Sequence, residues 1–560
     1  MKNVSDQIVT ILTQLGVKRI YGIPGDTIDS LMESLRKQST IDFIVMRHEE
    51  NGAFAATAHA KLTGEIGVVA ACQGPGANHL INGLYDAMDD RAPVLAITGA
   101  IGTDVIGTRM PQETTQIKLF DDCTVYNQEV RSAANMPRVL ERAIHKAVGM
   151  QGPAHISIPS DIMRDDAVKW TFSQPVSIHD AEIKPKAEHL QAAAATLNKA
   201  KKPVILYGEG ARDASTELDK LATMLNAPLV HTTRSKDIVP YGHPNAVGGI
   251  GLMGSVASHY ALKNCDALLI VGSQFAWREF YPESVPVVQV DIMPAHIGAR
   301  ISATHPLLGD AQATCAALLE KIQKKNDASF LKKCLQENTS LHTKIAFDPK
   351  KSKKGEPVHP QAFMEKLNEK ADDDALYMVD AGSITIWGNN ILKIKQGQRF
   401  VWCANLASLG NALGYALAAK FTYPKRQVFA LCGDGGFQMS IADLPTAVMY
   451  RLPIVFVIYN NSTYKFIELE EQGEGNPPFG THFCNPDYAM LAQAHGAKGY
   501  TVNDYTEIDQ VLDEALQQDM PVVIDVKVNP DELIIPPVLE SSKMVNFVKA
   551  QIRQWFSKNR

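Results

Sequence analysis

Residues Leu431–Phe437 read LCGDGGF and residues Ile458–Thr463 read IYNNST. Each closes a strongly apolar run, QVFALC in the first case and PIVFVIYN in the second, with small or polar residues. Runs of this length bounded by turn formers are expected of strands buried on both faces of a parallel sheet. The interval from Asp434 to Asn461 accommodates one helix and the next strand, so both breaks fall at the same sheet edge. Gly433, Gly435 and Gly436 let backbone N–H groups and a helix N-terminus approach an anionic group there. Asp434 is out of place at a bare anion site. A hard cation lying between its carboxylate and phosphate oxygens relieves the repulsion, with Asn461 and a nearby carbonyl completing an oxygen shell.

The surrounding chain repeats this alternation of short Val/Ile-rich runs and longer Ala/Leu-rich ones. IDFIVM, IGVVAACQGPG, PVLAITGA and PAHISIPSD are strands of a first unit; PVILYGEG, APLVHTTR, ALLIVGSQ and VPVVQVDI belong to a second. ALYMVDAG, QVFALCGDG, PIVFVIYNN and PVVIDVKV form a third, after a charged, proline-bearing linker from Lys344 to His359. The predicted fold class is α/β, with three doubly wound domains built on parallel sheets. Their bounds are 1–180, 190–343 and 356–540, and a basic amphipathic helix is expected over 541–560.

A chain of 560 residues is too long for one core and long enough for about three domains. With 45% hydrophobic residues and 21% charged, it has the composition of a soluble globular protein. Its net charge of -6 argues against nucleic acid as a partner. The eight cysteines form no CxxC pair, which favours free thiols in a reducing compartment. The amphipathic N-terminus has no apolar signal core, and a cytoplasmic location is expected.

In the first unit, the strand end VMRHEE leads into NGAFAATAHAKLTG, an alanine-rich helix. Such a placement suits Glu49 either to start a helix in solvent or to act as a buried proton relay to an aromatic cofactor nitrogen.

Together these stretches resemble the thiamine-diphosphate-dependent enzymes of the pyruvate oxidase and acetohydroxyacid synthase group, and among them the pyruvate oxidases most. The resemblance is carried by YGIPGD at Tyr21, RHEE at Arg47, GPGANHLINGLYDA at Gly74, VGSQFAWREFYP at Val271, VDIMPAHIG at Val290, GDGGFQM at Gly433, NNSTYKF at Asn460 and IPP at Ile535. It implies thiamine diphosphate held through Mg2+ by Asp434, Asn461 and the carbonyl of Thr463, with Gly433, Gly435, Gly436, Asn460 and Gly25 lining the cofactor. Glu49 is implied as the partner of the aminopyrimidine, favouring the imino tautomer that generates the thiazolium carbanion. That carbanion attacks pyruvate, carbon dioxide leaves and a hydroxyethyl intermediate remains. Leu409 occupies the place of the apolar wedge beneath the cofactor, although a leucine there also suits plain core. His79, expected to project from a strand end, and Gln112, Phe466 and Glu470 match positions around the reaction centre. Pro111 replaces the aromatic residue usual before that glutamine, which reshapes the pocket mouth. Lys465 stands where many relatives have glycine, and either helps an anionic acceptor bind or points to solvent.

In the middle domain the resemblance implies FAD. Gly272, Ser273, Gln274, Phe275 and Arg278, then Asp291 and Ile292, then Gly309 and Asp310, fall at successive strand ends, and Gly251 lies in the GIGLMG run. The implied activity is oxidative decarboxylation of pyruvate, with electrons passing to FAD and on to oxygen, with phosphate, or to a quinone. The alternatives are carboligation of pyruvate to acetolactate and a catalytically inactive scaffold subunit, the latter opposed by retention of Glu49, Asp434 and Asn461. Shared sites imply at least a homodimer, and usually a homotetramer. The tail KMVNFVKAQIRQWFSKNR carries basic residues beside an apolar stripe and can lie on the inner membrane surface or pack on its own subunit.

Overall fold

In the computed structural model, residues 2–345, 348 and 352–532 are described. The expected helix over 541–560, the IPP stretch and the end of the third domain lie outside the described residues. The first sheet contains β1 (Arg19–Gly22), β2 (Asp42–Val45), β3 (Gly67–Ala71), β4 (Val94–Ala100), β5 (Tyr126–Glu129) and β6 (Pro153–Pro159). The second contains β7 (Pro203–Tyr207), β8 (Leu229–His231), β9 (Ala246–Gly249), β10 (Ala267–Val271), β11 (Val287–Asp291) and β12 (His305–Leu308). The third contains β13 (Leu376–Val379), β14 (Arg399–Trp402), β15 (Val428–Gly433), β16 (Ile454–Asn460), β17 (Lys498–Val502) and β18 (Val522–Lys527).

All neighbouring strands in these sheets are parallel. The orders are β2-β1-β3-β4-β6-β5, β12-β11-β10-β7-β8-β9 and β14-β13-β15-β16-β18-β17. The first and third sheets therefore share one topology. The middle sheet instead has the order of a dinucleotide-binding fold, reversing between β7 and β10. Interior strands such as β4, β6 and β16 are buried along their whole length, because helices cover both sheet faces. Edge strands β5 and β17 are half-exposed and correspondingly polar. The linker begins later than expected, since a helix runs through Ser329–Ile345, and Val358 already bridges to Val528 beside the third sheet.

The first and third domains share a core. The helix Glu49–Thr63 lies against the helix Asn411–Thr422, and alanines on both sides permit the close approach. A Cβ at Gly414 would stand 2.7 Å from the Asn51 carbonyl. At one end of this interface Lys61 Nζ donates to Asp86 at 2.7 Å, Asp90 at 2.6 Å and the Tyr415 hydroxyl at 2.6 Å. Arg234 of the middle domain reaches the same Asp90 at 3.1 Å, so all three domains meet at one buried ion cluster. Burial opposes the Lys61 charge, but Asp86 and Asp90 outweigh it and raise the lysine pKa.

In the third sheet the strand order reverses between β13 and β15, opening a crevice at their carboxyl ends. Asp380, immediately after β13, is fully buried. Its Oδ1 accepts the N–H groups of Ala381 at 2.9 Å and Gly410 at 2.8 Å, whereas Oδ2 has no hydrogen-bond partner among the described residues. Gly436 packs directly on that oxygen, and a Cβ there would fall 1.9 Å from it. Burial pushes the Asp380 carboxyl up to about 7.

Replacing Lys61 with methionine leaves two buried carboxylates short of a partner and is expected to cost about 3–5 kcal/mol; an unchanged denaturant midpoint contradicts the assignment. Because the folded carboxyl of Asp380 is raised above its unfolded value, its contribution is complete below about pH 4 and is lost as pH rises through about 7. Thermal midpoints are expected to fall across that window in the native chain and to fall less in Asp380→Asn.

Candidate active site

The helix after β15 starts on Asp434 itself and runs to Ser440, so two of the glycines lie in its first turn. Asp434 Oδ1 accepts the Gly435 N–H at 2.9 Å. Its Oδ2 accepts the N–H groups of Asn461 at 3.1 Å and Ser462 at 2.6 Å, and the Asn485 side-chain amide at 2.7 Å. Ser462 adopts φ +57, which folds the turn after β16 back over the carboxylate. Burial raises the Asp434 pKa against these donors.

Asn461 Oδ1 accepts the Thr463 N–H at 3.1 Å, and the Thr463 carbonyl accepts the Lys465 N–H at 2.9 Å. Asp434 Oδ1, the Asn461 amide oxygen and the Thr463 carbonyl each accept one bond here and retain a lone pair. They form an all-oxygen donor set suited to Mg2+. Asn460 is turned inward instead: its amide donates to Asp525 at 2.9 Å and its oxygen accepts from Asn485 at 2.9 Å. Asn485 thus ties together both halves of the site. Tyr488 supports it with a hydroxyl 3.0 Å from its oxygen. Neither residue was singled out by sequence; the available signal was the Asn-Pro-Asp run opening the helix Tyr488–Ala494.

The structure corrects the solvent expectation for Lys465. The side chain is buried and its Nζ lies 3.3 Å from Glu468, whose carboxylate also accepts the Thr463 hydroxyl at 3.1 Å. Phe466 and Glu470 lie one turn apart on the helix Lys465–Gly473, half-buried and exposed respectively. Leu409 is half-buried in a turn pinned at both sides, by Ser408 to Asn82 at 2.8 Å and by Gly410 to Asp380.

Glu49 is the first residue of its helix, capped by His48, whose Nδ1 accepts the Glu50 N–H at 3.2 Å. Its carboxylate is buried, and Oε2 lies 2.9 Å from His79 Nδ1. His79 ends a short helix, Pro75–His79, rather than projecting from a strand end as expected. A Cβ at Gly76 would lie 3.2 Å from Glu49 Oε1, so glycine there keeps room around the carboxylate. Gln112, exposed at φ +68, packs on Gly74, and Gly25 packs on Cys72 in the same place. The fold therefore gathers Glu49, His79, Gln112 and Gly25 at the carboxyl edge of the first sheet. Asp443 joins this edge to the third domain, accepting the N–H groups of Arg47 at 2.8 Å and His48 at 3.2 Å and the Asn51 amide at 2.7 Å. Among the described residues, no hydrogen bond or ion pair joins Glu49 to Asp434, Asn461 or Thr463 of its own chain.

In the middle domain Gly272 and the turn after β7 fill each other's space, with a Cβ at Gly208 falling 2.4 Å from the Gly272 carbonyl. Gly251 packs on the Phe275 ring. Ser273 is buried with its hydroxyl 3.4 Å from the Phe275 N–H, and Gln274 donates to the His296 carbonyl at 2.8 Å. Asp291 accepts the Met293 N–H at 2.9 Å beside half-buried Ile292, and burial raises its pKa. Gly309 is covered by Ile183 and Pro185, and Asp310 caps the next helix through Ala313 at 2.8 Å. Arg278 is exposed, with no ion pair among the described residues.

Residues 2–119 match the N-terminal TPP binding domain of thiamine pyrophosphate enzymes, residues 190–318 their central domain and residues 380–526 their C-terminal TPP binding domain. The chain is 39% identical to YdaP of Bacillus subtilis, named as a thiamine pyrophosphate-containing protein, over 99% of this chain and 96% of that one. It is 34% identical to a pyruvate oxidase of Lactiplantibacillus plantarum, covering 94% of this chain and 88% of the relative. An acetolactate synthase of Mycobacterium bovis is 29% identical, over 95% and 89% of the two chains. With all three domains matched in order across its length, the chain belongs to the thiamine pyrophosphate enzymes.

Proposed function

We propose that this enzyme decarboxylates pyruvate oxidatively, using thiamine diphosphate held through Mg2+ and passing electrons to FAD in the middle domain. The observation that carries the first part is the convergence of Asp434, Asn461 and Thr463 at the carboxyl ends of β15 and β16, beside the switch point of the third sheet. The chemistry supplied by bound thiamine diphosphate is nucleophilic addition to the keto carbon and acceptance of the electron pair freed with carbon dioxide. Asp434, Asn461 and the Thr463 carbonyl hold the cation, while Gly433 leaves the backbone open to the diphosphate and Gly435 and Gly436 let the turn pack on Tyr464 and Asp380. Glu49 holds the proton at the pyrimidine nitrogen, and the glycine at 76 keeps space beside its carboxylate. Leu409 supports the cofactor from a turn anchored by Asp380. His79, Gln112, Phe466 and Glu470 surround the substrate. Two copies are taken to complete each site, as a homodimer or a tetramer of such pairs, on the resemblance to thiamine-diphosphate enzymes whose sites are shared between subunits.

For FAD, the support is the dinucleotide-type strand order, the buried carboxylate of Asp291 at the end of β11 and the exposed guanidinium of Arg278. The resemblance to the Lactiplantibacillus plantarum pyruvate oxidase favours redox use of the flavin. Carboligation to acetolactate is the second reading, favoured by the likeness to acetolactate synthases and by middle-domain glycines that already pack on one another. Among the described residues no helix is long and apolar enough to cross a membrane.

Glu49→Gln is expected to lower carbon dioxide release from pyruvate at least about 100-fold while the far-ultraviolet spectrum is retained; near-native turnover removes Glu49 from the mechanism. Anaerobic mixing with pyruvate is expected to bleach the flavin absorbance, and the compound that restores it, oxygen with phosphate or a soluble quinone, identifies the acceptor. Carbon dioxide release with the flavin colour unchanged selects carboligation.

A further inference from the structure

The ion cluster around Lys61 opens onto a cleft where the three domains meet. Its walls include Lys61 of the first domain, Glu209, Arg212 and Arg234 of the second, and Arg399 and Trp402 of the third. Two buried carboxylates hold these cations in pairs. Asp237 accepts Arg212 Nη2 at 2.8 Å and Arg399 Nε at 2.7 Å, and Asp90 accepts Arg234 Nη1 at 3.1 Å and Lys61 Nζ at 2.6 Å. Glu209 is taken at both oxygens by Arg212, through Nε at 2.6 Å and Nη2 at 2.8 Å. The carboxylates are thus occupied while donors are left over. Among the described residues, Nη1 and Nη2 of Arg399, Nη1 of Arg212 and Nε of Arg234 make no hydrogen bond. Trp402 is 6% exposed, and its buried Nε1–H likewise has no acceptor. A buried N–H without a partner costs free energy that an acceptor entering the cleft restores. The side chains of Asp90 and Asp237 expose no surface, whereas those of Arg212, Arg234 and Arg399 are 19% to 27% exposed, so an entering molecule meets guanidinium groups first.

We propose that this cleft binds a phosphate group and through it ties the three domains together. Lys61, Arg212, Arg234 and Arg399 are formally balanced by Asp86, Asp90, Asp237 and Glu209, so selection rests on hydrogen-bond geometry rather than on bare charge. Guanidinium forks match the paired oxygens of a tetrahedral oxyanion, and phosphate offers enough lone pairs to accept from all three arginines and the indole at once. Chloride has no such directional acceptors, and a carboxylate has only two oxygens. Burial opposes the charges of Arg212 and Arg234, but the neighbouring carboxylates outweigh it and hold both guanidinium pKa values up. The cleft is separate from the edge that carries Glu49. Lys61 lies twelve residues further along the helix Glu49–Thr63, about 18 Å along its axis. A ligand here bridges the middle domain to the other two, and stabilises their junction without touching the reacting atoms.

The test is calorimetric titration of the full-length protein at fixed ionic strength, with thiamine diphosphate, Mg2+ and FAD saturating so that no cofactor phosphate site stands open. Inorganic phosphate and ADP are titrated separately. Saturable binding of about one phosphate group per chain is expected, with a thermal midpoint that rises with ligand concentration. Tighter binding of ADP identifies a nucleotide as the source of the group, and phosphate binding as tightly as ADP identifies the free anion. Trp402→Phe removes the indole N–H and keeps an aromatic ring, while Arg399→Lys keeps a cation beside Asp237 without the fork. Each is expected to weaken binding at least about tenfold while the far-ultraviolet spectrum is retained. Absence of saturable binding by both ligands overturns the site, as does unchanged affinity in whichever of the two variants folds. Binding seen only when FAD is withheld also overturns it, because the phosphate then occupies the flavin's place.

Discussion

The arrangement depends on one buried carboxylate. Asp434 receives a side-chain amide and three backbone N–H groups drawn from two turns that are remote in sequence, and so fixes the ends of β15 and β16 against each other. A buried carboxylate with several converging donors is held rigidly, because each lost donor leaves charge uncompensated in a medium of low dielectric. The oxygens suited to a cation therefore sit in a preorganised turn. Asp380 extends the same organisation one strand over, holding the Leu409 turn with one oxygen while Gly436 lies against the other.

The first and third sheets have one topology, and the tasks proposed for their carboxyl edges are related, cation and diphosphate in the third and a proton-holding carboxylate in the first. They are welded by small residues on two helices and by the Lys61 cluster, so neither edge can drift relative to the other within a chain. Asp443 serves the same end nearer the site, by accepting backbone N–H groups immediately before Glu49.

Interior strands were legible in sequence because burial on both faces makes them continuous apolar runs. Strands β5, β9, β12, β14 and β17 were not, since all five are edges and each contains residues that are only partly buried. β1 is interior, but its RIYG sequence holds only two apolar side chains, between Arg19 and Gly22. Asp434 and Asn461 could be paired from a single β-α-β interval, whereas Asn485, Asp443 and Asp380 act through contacts that no local spacing encodes. Lys465 illustrates the same limit. Its charge suggested a ligand or solvent, and only the fold reveals the buried partner Glu468.

The most direct measurement is a crystal structure of the full-length protein grown with thiamine diphosphate and Mn2+ in place of Mg2+. The account predicts an anomalous peak within about 2.0–2.3 Å of Asp434, Asn461 and the Thr463 carbonyl, with the pyrimidine ring against Glu49 of a second copy. A cofactor whose metal lies away from those three oxygens, or whose pyrimidine meets no glutamate, would contradict it.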